Sequence, residues 1–254
     1  MWKDYNLEIL YKDDYLVVIN KPSGLLVHKS MIDSSEIYFA MKMLRDQIGQ
    51  WVYPIHRLDK PTSGVLLFTL DSDTARVMSE QFKAHMMKKK YIAVVRGWVD
   101  EEGFIDYALS VKHDKIADKN AKQKEAQEAK TAYKRLGMVE LPHAVGRYEK
   151  TRYSLVELEP QTGRKHQLRR HMKHISHHIL GDTKYGRGEH NKLIREHYNC
   201  HRLMLHAVSL EILHPYTDEK LIFEAGFDET FLYIFKSFGW LKSFKTSTHI
   251  PHNP

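Results

Sequence analysis

The chain has 254 residues, of which 42% are hydrophobic and 28% are charged, as is ordinary for a soluble globular protein. The 39 Lys and Arg residues against 32 Asp and Glu give a formal charge of +7, which suits either a nucleic-acid-binding protein or a merely basic one. Cys200 is the only cysteine, so an intramolecular disulfide and a four-thiolate zinc site are excluded. The apolar runs are too short to cross a membrane and no export signal is visible, so we expect a cytoplasmic protein without membrane contact.

The first third of the sequence predicts short strands joined by turns. Residues 8–11 and 15–20 have β-type composition and read as a hairpin. A turn at Lys-Pro-Ser-Gly separates them from a short strand at 25–28. A helical pattern begins at residue 34 or 35 and stops at Gly49.

The middle of the chain predicts a buried strand at 65–70, directly after the loop HRLDKPTSG at 56–64. Asp71 or Ser72 is placed to cap a helix that runs to about Phe82. Another strand is expected at 91–99. Residues 112–130 contain almost no large apolar side chains, which indicates an exposed loop, a solvated helix or a basic arm that touches nucleic acid.

The last part predicts further strands, a basic helix and a final helix that begins at Asp228 and ends near Phe238. Strands that follow one another through short turns favour an α+β fold with a mainly antiparallel sheet. We expect one domain over residues 1–240 and a polar tail over 241–254. The remaining expected elements are strands at 131–136, 152–159, 203–213 and 220–225 and a helix at 164–175.

Asp59 is the most prominent candidate for a chemical role. It is a carboxylate on a loop that precedes a buried strand, although an isolated loop aspartate is more often part of a surface ion pair. Lys21, in the segment NKPSG, could contact phosphate or simply belong to a turn. Tyr91 could stack on a nucleobase or be a half-buried strand tyrosine.

Residues 161–186 concentrate basic and histidine side chains. Arg164 and Arg169 lie about 140° apart on an ideal helix, so one could meet a buried carboxylate while the other meets phosphate. His171, His174 and His178 have helical spacing, but no acidic ligand lies among them until Asp182 and no HExxH pattern is present, so polyanion contact is favoured over a metal.

Read together, NKPSGLLVH, HRLDKPTSG, the Lys-x-Tyr that ends at Tyr91, TGRKHQLRRH and LGDTKYG resemble, in this order, the RluA-type pseudouridine synthases. The resemblance implies a pseudouridine synthase fold, with a mixed, mostly antiparallel sheet in two halves, flanking helices and a catalytic cleft between the halves. The N-terminal S4 domain of some members is not expected here. Three further segments (114–119, 151–177 and around 238–240) are most similar to the subgroup that acts on uridine 65 of tRNA.

The resemblance also implies roles for individual residues. Asp59 would be the ionised catalytic group, Arg169 its counter-charge and Tyr91 the ring that packs on the target base. Arg57 would enter the RNA helix where the flipped base has left. The reaction is an isomerisation, so no cofactor and no metal are expected. The further candidates for substrate binding are His56, Lys21, Arg164, Gln167 and Leu168.

The expected partner is tRNA, bound by a monomer without an obligate protein partner. Two alternatives remain open within RNA biology: the same reaction on a ribosomal RNA uridine, and a non-catalytic RNA-binding protein that kept the scaffold. A metal-dependent hydrolase built on the histidines is a third.

Overall fold

The computed structural model describes residues 2–29, 35–110 and 125–241. These residues form ten strands and five helices. The strands are β1 (Glu8–Lys12), β2 (Leu16–Lys21), β3 (Tyr53–Pro54), β4 (Ser63–Thr69), β5 (Lys88–Arg96), β6 (Glu102–Asp106), β7 (Lys130–Leu141), β8 (Thr151–Pro160), β9 (Leu205–Leu213) and β10 (Lys220–Glu224). The helices are α1 (Ala40–Ile48), α2 (Ser72–Lys83), α3 (Gln167–His174), α4 (Gly188–Tyr198) and α5 (Glu229–Ser237).

All ten strands belong to one sheet with the order β1-β2-β4-β9-β5-β8-β7-β6, in which β3 pairs with β4 and β10 with β9. Among the described strands, the pair β4–β9 is parallel and the other pairs are antiparallel. Two apolar clusters cover opposite faces of the first half, and a larger cluster joins the second half to α3, α4 and α5. The expected α+β fold with a mostly antiparallel sheet is confirmed.

The helix caps were predicted well where a side chain provides the cap. The Asp71 carboxylate accepts from the Thr74 amide at 2.8 Å, and the Asp228 carboxylate accepts from the Phe231 amide at 3.0 Å. These short polar side chains satisfy amides that have no partner within the helix. The helix α1 ends as expected at Gly49, which has a positive φ of 68°.

The predicted start of α1 and the predicted strand at 25–28 were wrong for one shared reason. The backbone carbonyls of Leu26 and Val27 accept from the amides of Ala40 and Met41, at 2.8 and 3.0 Å. Those carbonyls therefore cap the helix, which begins at Ala40 without a serine cap. Because they are used in this way, the segment forms one isolated bridge and no strand.

Other boundaries moved and three elements were missed. The strand β5 begins at Lys88, three residues before its expected start, and α3 begins at Gln167. The strands β3 and β6 and the helix α4 were not predicted. The predictions for residues 112–124 and for most of the tail lie outside the described residues.

The two halves of the sheet meet at a very close contact between β4 and β9. Gly64 has a φ of 113° and faces Ala207 in the parallel register. A Cβ atom on Gly64 would lie 2.1 Å from the Ala207 carbonyl oxygen. Only glycine therefore allows the two backbones to approach this closely.

Gly64→Ala is expected to lower the free energy of unfolding by about 3 kcal/mol or more, because it adds a backbone clash to an unfavourable φ. The matched control is Gly49→Ala, since Gly49 also has a positive φ but a Cβ atom added there would meet no atom within 4 Å. The control should cost about 1–2 kcal/mol. Urea unfolding of both variants measures the difference, and equal losses would contradict the close-contact explanation.

The same junction contains a buried polar network. The Ser63 hydroxyl lies 2.7 Å from His206 Nδ1, and His206 Nε2 lies 3.1 Å from the Ala225 carbonyl oxygen. The carbonyl only accepts, so Nε2 carries the proton and Nδ1 accepts from Ser63. Burial, together with the nearby Arg202 guanidinium, lowers the pKa of His206 to about 4.

This lowered pKa predicts acid sensitivity. The unfolded chain binds a proton at His206 near pH 6.5, whereas the folded chain resists it until about pH 4, so stability falls as the pH falls through that window. Through His206, the free energy of unfolding should be about 2 kcal/mol lower at pH 5 than at pH 7.5. Urea unfolding at the two pH values should show a smaller difference for His206→Asn than for wild type; an unchanged difference would count against this assignment.

Candidate active site

A cleft of about 390 Å³ opens between the two halves of the sheet. The first half contributes the loop around Asp59, and the second contributes Tyr91 on β5 and the turn that leads into α3. The N-terminal end of β9 completes the wall at Leu205. Four segments that are far apart in sequence therefore meet in one cleft.

Asp59 lies in this cleft and pairs with Arg169. The Arg169 NH1 group donates to Asp59 Oδ2 at 3.0 Å, and the Asp59 side chain is 18% exposed. The neighbouring Leu58 is buried and anchors the loop, while the Thr62 amide donates to the Asp59 carbonyl at 2.9 Å. The carboxylate is thus held by a cation yet remains open to the cleft.

Asp182 orients Arg169 through a bidentate pair. Arg169 Nε donates to Asp182 Oδ2 and NH2 donates to Oδ1, both at 2.8 Å. Asp182 also accepts from the amides of Lys184 and Tyr185, each at 2.9 Å. Burial raises the pKa of Asp182, but these hydrogen bonds and the Arg169 charge outweigh it and leave the pKa below its ordinary value. The Nε–NH2 edge of the guanidinium is fixed by this pair, which aims the remaining NH1 at Asp59.

The sequence predicted no role for Asp182 in the site. It stood out only as the first acidic residue near the histidines. Its position in LGDTKYG, next to backbone amides of a tight turn, is a local signal for an ionised aspartate. The partner could not be read from that signal, because Arg169 lies 13 residues earlier on a different element.

Tyr91 stands across the cleft on β5, at an irregularity in its pairing with β9. Its ring packs against apolar clusters of both halves of the sheet. Burial, and to a lesser degree the Asp59 carboxylate, raise the pKa of Tyr91 above its ordinary value. Tyr91 therefore presents a phenol and a flat apolar face to the cleft at neutral pH.

His56 and Arg57 differ in environment although they are adjacent. The ring of His56 stacks on Phe82 at 5.1 Å, and its Nε2 accepts from the Leu67 amide at 3.1 Å. Burial, with the nearby Lys89 charge, lowers the pKa of His56 to about 3. Arg57 is exposed at the cleft. Its position suits contact with a large ligand, whereas His56 supports the wall.

The three candidate residues around the start of α3 also have different environments. Arg164 is partly exposed, and its Nε donates to the Glu128 carbonyl at 2.9 Å. Leu168 is buried and contributes an apolar wall. The Gln167 amide is engaged inside the protein, where its oxygen accepts from the Thr162 hydroxyl at 2.7 Å and the Arg164 amide at 3.0 Å. Gln167 thus holds the turn before α3, which explains why the helix starts there.

Lys21 does not line the cleft, so its position does not fit the expected role as a substrate contact. Its side chain is fully buried, and Nζ donates to the carbonyls of Pro22, Leu25 and Lys60 at 2.8, 2.7 and 3.3 Å. Burial lowers its pKa to about 7. Lys21 therefore ties the NKPSG turn to the backbone directly after Asp59.

The histidines considered as metal ligands have other contacts. His171 bonds to the Thr131 hydroxyl at 2.9 Å, His174 stacks on Tyr107 and His178 bonds to the Tyr185 carbonyl at 2.6 Å. Within residues 2–29, 35–110 and 125–241, no group of three or more His, Cys, Asp or Glu side chains is arranged to hold a metal ion. In the same ranges no helix is both long and apolar enough to span a bilayer.

The family model described as RNA pseudouridylate synthase matches residues 15–174, which include Asp59, Tyr91 and Arg169. The match spans more than half of the chain. The chain therefore belongs to this family of RNA-modifying isomerases, and the resemblance seen in its motifs is confirmed.

Two curated relatives are similar over nearly the whole chain. The tRNA pseudouridine synthase C of Vibrio parahaemolyticus is 56% identical over 235 residues, covering 92% of this chain and 96% of the relative. The protein of the same name from Vibrio cholerae is 56% identical over 238 residues, covering 93% and 98%. The solved structure of human RNA pseudouridylate synthase domain containing 4 is 30% identical, with a TM-score of 0.65 over 91% of this chain and 93% of that one.

Proposed function

We propose that this chain converts one uridine of tRNA, uridine 65, to pseudouridine. This proposal rests on the meeting of Asp59, Arg169 and Tyr91 in one cleft of a pseudouridine synthase. The curated relatives described above are named tRNA pseudouridine synthase C. The choice of uridine 65 is supported by the similarity of the segments 114–119, 151–177 and 238–240 to that subgroup.

The reaction breaks the N1–C1′ glycosidic bond, turns the base and joins C5 to C1′. C5 loses a proton and N1 gains one, so the product is an isomer and no redox partner is needed. Asp59 is the group that acts on the sugar or the base. Arg169 holds its carboxylate in the cleft and supplies the counter-charge. Tyr91 packs on the base and offers a phenol rather than a phenolate.

A uridine in a stem must leave its stack before it can reach the cleft, which costs a few kcal/mol. Arg57 is exposed beside Asp59 and carries a planar guanidinium that can stack in the vacated space. The surplus of positive charge serves tRNA phosphates. We infer a cytoplasmic enzyme that acts as a monomer, with residues 1–240 as its catalytic domain.

The test is tritium release from bulk tRNA labelled at uridine C5, followed by mapping of the modified position. Wild type should release tritium from tRNA and leave pseudouridine at position 65. Release from ribosomal RNA and none from tRNA would support the alternative substrate. Binding of RNA without release from either would support the non-catalytic alternative, and both outcomes would overturn the proposal.

A further inference from the structure

His166 lies in the cleft, and the proposed reaction as described above does not use it. Its Nε2 is 3.7 Å from Asp59 Oδ1, the carboxylate oxygen that Arg169 does not hold. Its Nδ1 lies 2.9 Å from the hydroxyl of Tyr185. His166 thus lies between the buried Tyr185 and the carboxylate oxygen of Asp59 that Arg169 does not hold.

The backbone at His166 lies in a region that is uncommon for residues other than glycine. His166 precedes α3 with a φ of 55° and a ψ of 31°, in the left-handed region that favours glycine. Its side chain does not cap the helix. The sequence therefore has a ring at a position where glycine would cause less backbone strain.

The neighbours of His166 decide which ring nitrogen carries the proton. Burial raises the pKa of Tyr185, so its hydroxyl keeps its proton at neutral pH and can donate to Nδ1. Burial lowers the pKa of His166 to about 4, although the Asp59 carboxylate acts to raise it. The nearby positive charges lower it further; they belong to Arg169, Lys184 and Lys165. A neutral ring that accepts from Tyr185 at Nδ1 has its proton on Nε2, directed at Asp59. The opposite tautomer would aim a lone pair at the carboxylate.

We propose that His166 is a positioning residue for Asp59, an uncharged donor at Nε2 whose tautomer is set by Tyr185. The inference rests on the proposed function. Arg169 forms an ion pair with Oδ2 of Asp59, and His166 orients Oδ1 as a neutral group. A second cation at this point would make the Asp59 carboxylate less reactive. A separation of 3.7 Å is too long for a hydrogen bond, and we expect it to shorten when substrate binds. Catalytic hydrogen bonds are often long without substrate and tighten when it binds.

His166→Gly removes the ring and relaxes the backbone at once. We expect the melting temperature to stay constant or rise, while kcat for tritium release falls about 10- to 100-fold, as fits the loss of a hydrogen bond to a charged group. KM should change less than about threefold, since Asp59 and not the RNA loses a partner. Asp218→Gly is the matched control, because Asp218 has the same φ of 55° in the exposed hairpin turn between β9 and β10. It should raise or keep stability at unchanged kcat.

Two conservative variants separate orientation from packing. Gln places an amide donor near the position of Nε2, so His166→Gln should recover part of the lost kcat. Asn suits the left-handed backbone but its amide reaches only the position of Nδ1, so His166→Asn should remain as slow as His166→Gly. Equal kcat in wild type, His166→Gly and His166→Asn would overturn the inference, as would a raised KM at unchanged kcat.

A measurement that needs no activity keeps the inference distinct from the proposed function. The ¹⁵N shifts of the His166 ring in wild type should show a protonated Nε2 and a bare Nδ1 at neutral pH. Tyr185→Phe, which keeps the ring that lies 5.1 Å from the Arg169 guanidinium, should lose this preference. A protonated Nδ1 in wild type would overturn the inference whatever the substrate proves to be. An inactive wild type with the expected tautomer would instead overturn the proposed function alone.

Discussion

Asp59→Asn should lower tritium release from tRNA by at least about 10⁴-fold, because the amide cannot act as the charged group at the reacting sugar or base. The protein should remain folded. Asn has nearly the same shape as Asp, its oxygen can still accept from Arg169, and Arg169 keeps its bidentate partner Asp182. Single-turnover tritium release and thermal unfolding measure the two effects separately.

The control for Asp59→Asn is Asp46→Asn on the surface of α1. Asp46 also pairs with an arginine, Arg45, at 2.6 Å, but it lies outside the cleft. Its replacement should leave the rate unchanged and cost less than about 1 kcal/mol. Asp59→Asn with more than a tenth of the wild-type rate would refute the assignment of Asp59 as the catalytic group.

Asp182→Ala should have the opposite signature, with a large loss of stability. The side chains of Arg169 and Asp182 are 6% and 1% exposed, so the change leaves two buried N–H groups of a cation without acceptors. Breaking such a pair costs about 3 kcal/mol, at the lower end of the usual range because Asp59 still holds one edge of the guanidinium. Urea unfolding measures this loss, and a change below about 1 kcal/mol would contradict it.

The double variant Arg169→Met/Asp182→Asn tests the same pair without a stranded charge. Removing both charges together is often nearly neutral for stability, so the double variant should be more stable than Asp182→Ala. Its tritium release should stay low, since Asp59 has lost the cation that holds its carboxylate in the cleft. Recovery of activity along with stability would show that Arg169 serves the fold and not the chemistry.

These variants assign different tasks to neighbouring carboxylates. Asp59 is 18% exposed and has one donor from a guanidinium, whereas Asp182 is 1% exposed and accepts from Arg169 and two backbone amides. The more accessible and less satisfied carboxylate is the one suited to react. The buried carboxylate of Asp182 is fully engaged by hydrogen bonds within the protein, and it orients Arg169.

Several features of this protein were determined by the sequence alone. Asp71 and Asp228 cap helices because a short polar side chain reaches amides three residues ahead, and that spacing is visible in the sequence. Gly49 ends α1 for a similar local reason. The alternation and apolar content of the strands near the site likewise report local burial. The family motifs supplied the identities of Asp59, Tyr91 and Arg169.

Only the tertiary structure decided how these residues meet. Asp59 and Arg169 are 110 residues apart, and no periodic pattern records which arginine reaches the loop. The same holds for Lys21, whose charge suggested phosphate but whose Nζ is enclosed by three carbonyls. It holds for His166 as well, because its nearness to Asp59 depends on a turn with positive φ. Local spacing fixes hydrogen bonds within a turn or a helix, whereas contacts between distant segments arise only when the sheet brings its two halves together.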